Sequence, residues 1–332
     1  MTKLGIISMG GTITMSAQAD GGALPELSAE DICRALPQLD RLAEISCCTL
    51  HKIGSPSLST VDLFHLADQI NAWADQGIKS FVVMQGTDTL EEMAFAIDVM
   101  FSQRDLSIVF TAAMRGPSQL GADGSANLMA GARVALHPAT SEMGTVVVIN
   151  DEIHAARLVE KRHAFNLRAF VSPNLGPVGW VVEGRARYVA APKRLQIDYN
   201  EGREPVNVEL IRCVFDMSPA LIDFCTLNDD IDAVVVEGVG GGNIAHWLVE
   251  PLKRLAAKKP VVICSRTGGG EVLASSYAEP GSAGLLVKDG AINGTTLDGL
   301  KCRVLLKLLL ADGAQHERLK SVFDRVARLY LQ

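Results

Sequence analysis

No apolar run in the sequence approaches the roughly 20 residues that a membrane-spanning helix needs. Positive charge is not in excess either. The formal net charge is −7, which argues against nucleic acid or an anionic membrane surface as a partner. Seven cysteines are present, but none forms a Cys-x-x-Cys pair and their number is odd. They read as reduced thiols of a cytoplasmic protein, not as a disulfide framework or a zinc cradle. Seven histidines are scattered without His-Glu-x-x-His spacing. Neither the Gly-x-x-x-x-Gly-Lys of a P-loop nor the Gly-x-Gly-x-x-Gly of a dinucleotide site occurs. The opening Met1-Thr2-Lys3-Leu4-Gly5 leads into a strand and lacks the charged-then-apolar layout of a secretory leader. Internal repeats and low-complexity tracts are absent too.

What is present is apolar patterning. Hydrophobic residues make up 48% of 332, enough for two domains with substantial cores. Strand-like runs at 3–8, 44–49, 80–84, 107–111 and 144–149 alternate with helical patterns at 28–36, 61–76, 90–102 and 124–136. Ser28 and Thr60 read as N-caps, and Thr89 with Glu92 as a capping box. Such alternation predicts a largely parallel sheet with helices on both faces. The polar, turn-rich stretch around 190–210 reads as a linker. Strands at 233–236 and 261–264 follow, with helices at 244–257, 297–311 and 315–330. The expected division is an N-terminal α/β domain over 1–190, a linker over 191–211 and a smaller C-terminal α/β domain over 212–332.

Two strand-to-helix turns carry hydroxyls. Gly10-Gly11-Thr12 follows the first strand, and Gly86-Thr87-Asp88 follows strand 80–84. Glycines let a backbone turn sharply and approach a ligand closely, and such corners are where α/β folds keep their chemistry. Threonine acyl transfer needs a base, oxyanion donors and a held substrate. Glycine-rich turns offer free N–H groups, and Asp88 offers an anchor for an ammonium. The base has to come from elsewhere. Lys161 and His163 both lie in the polar stretch 159–163, and spacing alone does not choose between them, although His163 is the conventional chemical choice.

The chain resembles the bacterial-type L-asparaginases, the threonine-dependent asparaginase/glutaminase family. The resemblance rests on Gly10-Gly11-Thr12-Ile13, Ile53-Gly54-Ser55, Gln85 to Glu92, Met114-Arg115 with Ala122-Asp123-Gly124 and Asn127-Leu128. Lys161, eleven residues before Ser172-Pro173-Asn174, also matches, as do Gly176-Pro177-Val178-Gly179 and Gly238 to Asn243. The resemblance implies a two-domain asparaginase-like α/β fold and hydrolysis of the side-chain amide of L-asparagine, or a related small amide, through a threonine acyl-enzyme. It implies Thr12 as nucleophile and Thr87, Asp88 and Lys161 as the second catalytic group. It further implies Ser55 on the substrate carboxylate, Asp88 on its ammonium, the Ala113 carbonyl on its amide, and Asn243 reaching a neighbouring subunit's site. A homodimer or homotetramer with active sites near subunit contacts is expected, with no metal and no cofactor.

The chain also departs from that pattern. No tyrosine stands between Thr14 and Pro37, where the family carries a lid tyrosine; the four tyrosines are Tyr188, Tyr199, Tyr277 and Tyr330. Pro56-Ser57 replaces the usual amide-then-aspartate pair, and Gln85 replaces a common histidine. The C-terminal carboxylate that meets the substrate ammonium is assigned to Glu279, with Glu271 as the alternative. These departures leave a second reading open: a non-catalytic amino-acid sensor or scaffold on the same fold.

Overall fold

A computed structural model describes residues 2–18 and 21–329. The backbone forms two compact units, Met1–Arg194 and Leu195–Gln332.

The first unit is built on an eight-stranded sheet. Five strands are parallel, in the spatial order Val146–Ile149, Ser107–Thr111, Ser80–Met84, Lys3–Gly10 and Glu44–Ile53. Three more strands, Glu152–Ala155, Gly179–Val182 and Arg185–Tyr188, extend one end in antiparallel fashion. Every residue of Ser80–Met84, Ser107–Thr111 and Val146–Ile149 is buried. Each Val, Ile, Phe or Met so enclosed contributes about 1.5–3 kcal/mol of apolar transfer free energy, which explains why these runs are apolar on both faces.

The order of these strands locates a crevice. The chain goes from Lys3–Gly10 to Glu44–Ile53 on one side, then crosses back to Ser80–Met84 on the other and continues outward. The direction of winding therefore reverses between Lys3–Gly10 and Ser80–Met84. In open α/β sheets, ligands bind beyond the carboxyl ends of strands at such a reversal. Thr12 and Thr87 follow those two strands.

Helix starts differ from expectation in two places. The helix Thr60–Asp75 is capped by Ser59, not Thr60. Ser59 Oγ accepts from Asp62 N–H at 3.4 Å, and Asp62 Oδ2 accepts from Ser59 N–H at 2.7 Å, so the reciprocal pair sits one residue earlier and Thr60 is already helical. Thr89 occupies the N-cap position of Leu90–Met100, but its side chain makes no capping bond. The hydroxyl donates to the Ser55 carbonyl at 3.0 Å instead. Ser28 caps Ala29–Arg34, as read from the sequence, and Asp31 completes a capping box with it.

The second unit carries a four-stranded, wholly parallel sheet in the order Val208–Arg212, Ala233–Gly238, Val261–Ser265 and Ile292–Asn293. Val208–Arg212 stands at the far end of the stretch read as linker, and 191–206 contains neither helix nor strand. The helices Ala220–Leu227, Val249–Ala256, Ala283–Lys288, Gly299–Ala311 and His316–Ala327 also belong to this unit. Among the described residues, no helix is long and apolar enough to cross a membrane.

Candidate active site

The first strand ends in Gly10 and Gly11, whose φ values of 96° and 85° lie in the left-handed region. A side chain at Gly11 would place its Cβ 2.2 Å from the Gly86 nitrogen. The two threonine turns are thus in backbone contact, and only glycine permits that approach. Thr12 opens a short 3-10 turn, Thr12–Thr14. The turn is held by Gly11 N–H donating to the Ile53 carbonyl at 3.0 Å and by Thr14 Oγ donating to the Gly11 carbonyl at 2.8 Å. Thr12 itself is half-buried.

The second corner is more heavily braced. Lys161 Nζ donates to Thr87 Oγ at 2.8 Å and to Asp88 Oδ1 at 2.5 Å. Thr87 is buried and the Lys161 side chain is 13% exposed, whereas that of Asp88 is 59% exposed. The lysine therefore links an enclosed hydroxyl to a carboxylate facing solvent. Its backbone is fixed as well: Lys161 N–H donates to Glu91 Oε2 at 2.6 Å, and Lys161 pairs with Phe170 in a two-residue antiparallel ladder. Glu91 is a buried carboxylate in the first turn of Leu90–Met100. It lies within the motif Gln85 to Glu92, yet only the fold reveals its task of holding Lys161 beside Thr87.

His163 takes no part in this arrangement. It is exposed, and its Nδ1 accepts from the N–H groups of Phe165 at 3.2 Å and Asn166 at 3.1 Å. Its hydrogen bonds shape that turn, and of the two candidates only Lys161 is bonded to Thr87.

Two further elements complete the crevice. Ser55 is buried, and a Cβ on Gly86 would lie 2.8 Å from Ser55 Oγ. That oxygen accepts from Asp88 N–H at 3.1 Å and Thr89 N–H at 3.4 Å. Ser55 thus holds the two N–H groups just before the helix from another segment, without replacing the N2 or N3 capping bond that Thr89 does not make. With its oxygen already accepting, the Ser55 hydroxyl proton remains available to an acceptor. The Ala113 loop is pinned by Asp123, which accepts from the Met114 and Arg115 N–H groups at 2.9–3.1 Å, and by Asn127 donating to the Ala112 carbonyl at 2.9 Å. A Cβ on Gly124 would lie 2.9 Å from Ile13 and 3.3 Å from Ala113, so this loop packs beside the Thr12 turn.

The tip that follows Thr12 is a small hairpin, Met15–Ala17 paired with Ala23–Pro25. Ala19 and Asp20 of the expected lid lie outside the described residues. Asn243 and Glu279 belong to the second unit. The Asn243 side-chain oxygen accepts from Ala283 N–H at 3.2 Å, and Asn243 and Val239 exchange backbone hydrogen bonds at 2.8 and 2.9 Å. Glu279 is exposed, and its carbonyl accepts from Ser282 N–H.

The family model described as Asparaginase, N-terminal, matches residues 3–194, and that of the Glutaminase/Asparaginase C-terminal domain matches residues 207–323.

The chain belongs to the asparaginase family.

An L-asparaginase of Bacillus licheniformis is 30% identical over 316 residues, covering 93% of this chain and 95% of the relative. A subunit of the glutamyl-tRNA(Gln) amidotransferase of Methanosarcina mazei is 27% identical and aligns with 97% of this chain but 76% of its own length. Among solved structures, the probable cytoplasmic L-asparaginase of Campylobacter jejuni superposes with a TM-score of 0.85 at 26% identity, covering 97% of this chain and 99% of that one. The chain is an asparaginase-like amidohydrolase with the two-domain α/β fold of that family.

Proposed function

We propose that this asparaginase-family chain hydrolyses the side-chain amide of L-asparagine, or of a closely related small amide, through an acyl-enzyme on Thr12. The observation that carries the reading is the Lys161 ammonium bonded to both Thr87 and Asp88, beneath the backbone contact that brings the Thr12 turn alongside. In the proposed reaction the Thr12 oxygen attacks the carboxamide carbon while its proton leaves toward the departing amine. Ammonia departs, and an ester to Thr12 remains. Water then attacks that ester, with Thr87 and Lys161 relaying its proton, and the free acid is released as the Thr12 hydroxyl re-forms.

Substrate anchoring follows from charge. The exposed carboxylate of Asp88 suits an α-ammonium. The Ser55 hydroxyl, at the N-terminus of Leu90–Met100, suits an α-carboxylate because the helix end adds its own attraction for anions. The Ala113 carbonyl, on a loop fixed by Asp123 and Asn127, suits the amide N–H of the substrate. Asn243 is assigned to the active site of a neighbouring subunit, and Glu279 is the candidate carboxylate for the substrate ammonium.

A homo-oligomer is part of the same reading. Val214, Phe215, Leu221, Phe224 and Leu227, on and beside the helix Ala220–Leu227, are all more than half exposed, and a cluster of that kind favours burial against a second copy. Light scattering on the eluting protein should give a dimer or tetramer mass; a monomer at micromolar concentration would remove this part. The cytoplasm is the proposed location.

The amino-acid sensor is the competing reading, favoured by the missing lid tyrosine. Ammonia release from L-asparagine, D-asparagine, L-glutamine and small amides, with Thr12→Ala and Thr87→Ala beside the native chain, separates the two. The proposal expects turnover that both substitutions abolish. Tight aspartate binding in a calorimeter without any ammonia would leave the sensor instead.

A further inference from the structure

Away from the crevice, the edge strand Glu44–Ile53 and the helix Thr60–Asp75 bring three metal-type donors together. His51 comes from the strand; Asp62 and His65, one turn apart, come from the helix. One ligand atom from each lies within 4.8 Å of the other two. His51 Nε2 approaches Asp62 Oδ1 to 2.9 Å. That nitrogen is nevertheless buried and makes no hydrogen bond of acceptable direction among the described residues. The nitrogen and oxygen are close without an N–H aimed along the line between them, as two donors arranged around a common cation would be. The rings of His51 and His65 are stacked, 18° from parallel with centroids 6.4 Å apart.

Asp62 is oriented for the purpose. Its Oδ2 is occupied by the Ser59 N–H at 2.7 Å and the Ser59 hydroxyl at 2.6 Å. The carboxylate is therefore held from behind while Oδ1 points at His51, which is the outer-shell support that metal-binding carboxylates receive.

We propose that His51, Asp62 and His65 form a binding site for a divalent transition-metal ion of the zinc class, which ties the sheet edge to the following helix. Two imidazoles and one carboxylate are a nitrogen–oxygen donor set suited to Zn²⁺, Co²⁺ or Ni²⁺ and poor for Ca²⁺ or Mg²⁺. Three protein ligands leave a fourth position for water. His65 is exposed, so an ion has a path in. Ser55 lies on the segment between His51 and Asp62. A bound ion would thus clasp the two ends of the stretch whose Ser55 holds the Asp88 and Thr89 N–H groups of the second threonine turn.

The test uses the full chain without an affinity tag. Titration with Co²⁺ should saturate at one equivalent and develop the visible ligand-field bands of a low-coordinate site. Zn²⁺ should displace the cobalt and raise the thermal midpoint of the protein. His65→Ala, at an exposed position that leaves the fold intact, and His51→Gln should each weaken binding at least about tenfold, since loss of supporting partners alone costs 10–100-fold. Equal affinity in native chain and His65→Ala would overturn the site. So would a thiolate-to-cobalt charge-transfer band, which would put the ion on the cysteines, or the absence of saturable one-equivalent binding. Cobalt spectra and calorimetry do not depend on turnover, so this result and the amidase result are read separately.

Discussion

The two threonine corners stand in backbone contact and yet are built in opposite ways. The corner at Thr87 is enclosed and fully braced: its hydroxyl meets Lys161, the Asp88 N–H is held by Ser55, and Lys161 is tied down by Glu91. The corner at Thr12 is formed by two left-handed glycines, and its threonine is half-buried at the foot of a small hairpin. A group that relays protons benefits from fixed partners, because proton transfer depends on held geometry. A group that becomes acylated has to meet substrate and then water, so it needs access. The proposed roles, nucleophile for Thr12 and relay for Thr87, follow that asymmetry.

The largest effects should come from exchanging or removing these roles. Thr12→Ala should lower kcat for ammonia release by at least about 10⁴-fold, the scale seen when a nucleophile is deleted. Lys161→Met should lower it by about 10²–10⁴-fold with KM changed far less. If Lys161→Met kept near-native turnover, the relay assignment would fail. Steady-state assays on folded variants check both.

Gly11→Ala attacks the contact between the corners. The added Cβ would meet Gly86 backbone at 2.2 Å at a φ of 85°, and backbone cannot swing aside as a side chain can. Overpacking and left-handed strain each cost about 1–3 kcal/mol. A loss of about 3 kcal/mol or more in denaturant unfolding is therefore expected, together with loss of turnover. Ser55→Ala is milder. It removes the acceptor of the Asp88 and Thr89 N–H groups, worth about 1 kcal/mol, and should raise KM more than it lowers kcat. An unchanged KM would separate Ser55 from the substrate carboxylate.

The smallest effect lies outside the corners and serves as their control. His154 is buried, with Nδ1 2.9 Å from Ser172 Oγ. Burial lowers its pKa below the ordinary 6.5, against the pull of Glu152. The unfolded chain then binds the proton more readily than the folded one. Stability from this group is complete above pH 6.5 and is lost as pH falls below 6.5 toward the depressed folded value, with a slope of at most about 1.4 kcal/mol per pH unit. Urea midpoints across that window should fall less steeply in His154→Gln.

The parallel core is legible in the sequence because its strands are uniformly apolar. Ser80–Met84 and Ser107–Thr111 occur where their runs of buried residues place them. The antiparallel extension Glu152–Ala155, Gly179–Val182 and Arg185–Tyr188 is not, since these four-residue strands mix buried with partly or fully exposed positions and lack a long apolar signal. Thr12, Thr87 and Asp88 are legible from their corners. Lys161 is reached by resemblance, because nothing local distinguishes a lysine carried by a two-residue strand from a surface one. The tasks of Glu91 and the cross-segment bond from Asp88 N–H to Ser55 are hidden, because both are long-range contacts, 70 and 33 residues apart in the chain.

The assignment of roles to the two corners can be tested by trapping the covalent intermediate. The enzyme is mixed with excess amide substrate, quenched in acid within the first turnovers, digested and mapped by mass spectrometry. The account predicts an acyl mass increment on the peptide that contains Thr12, retained longer when Lys161 is replaced by Met. An increment on the peptide that contains Thr87 instead, or ammonia released in a burst with neither peptide modified, would contradict it.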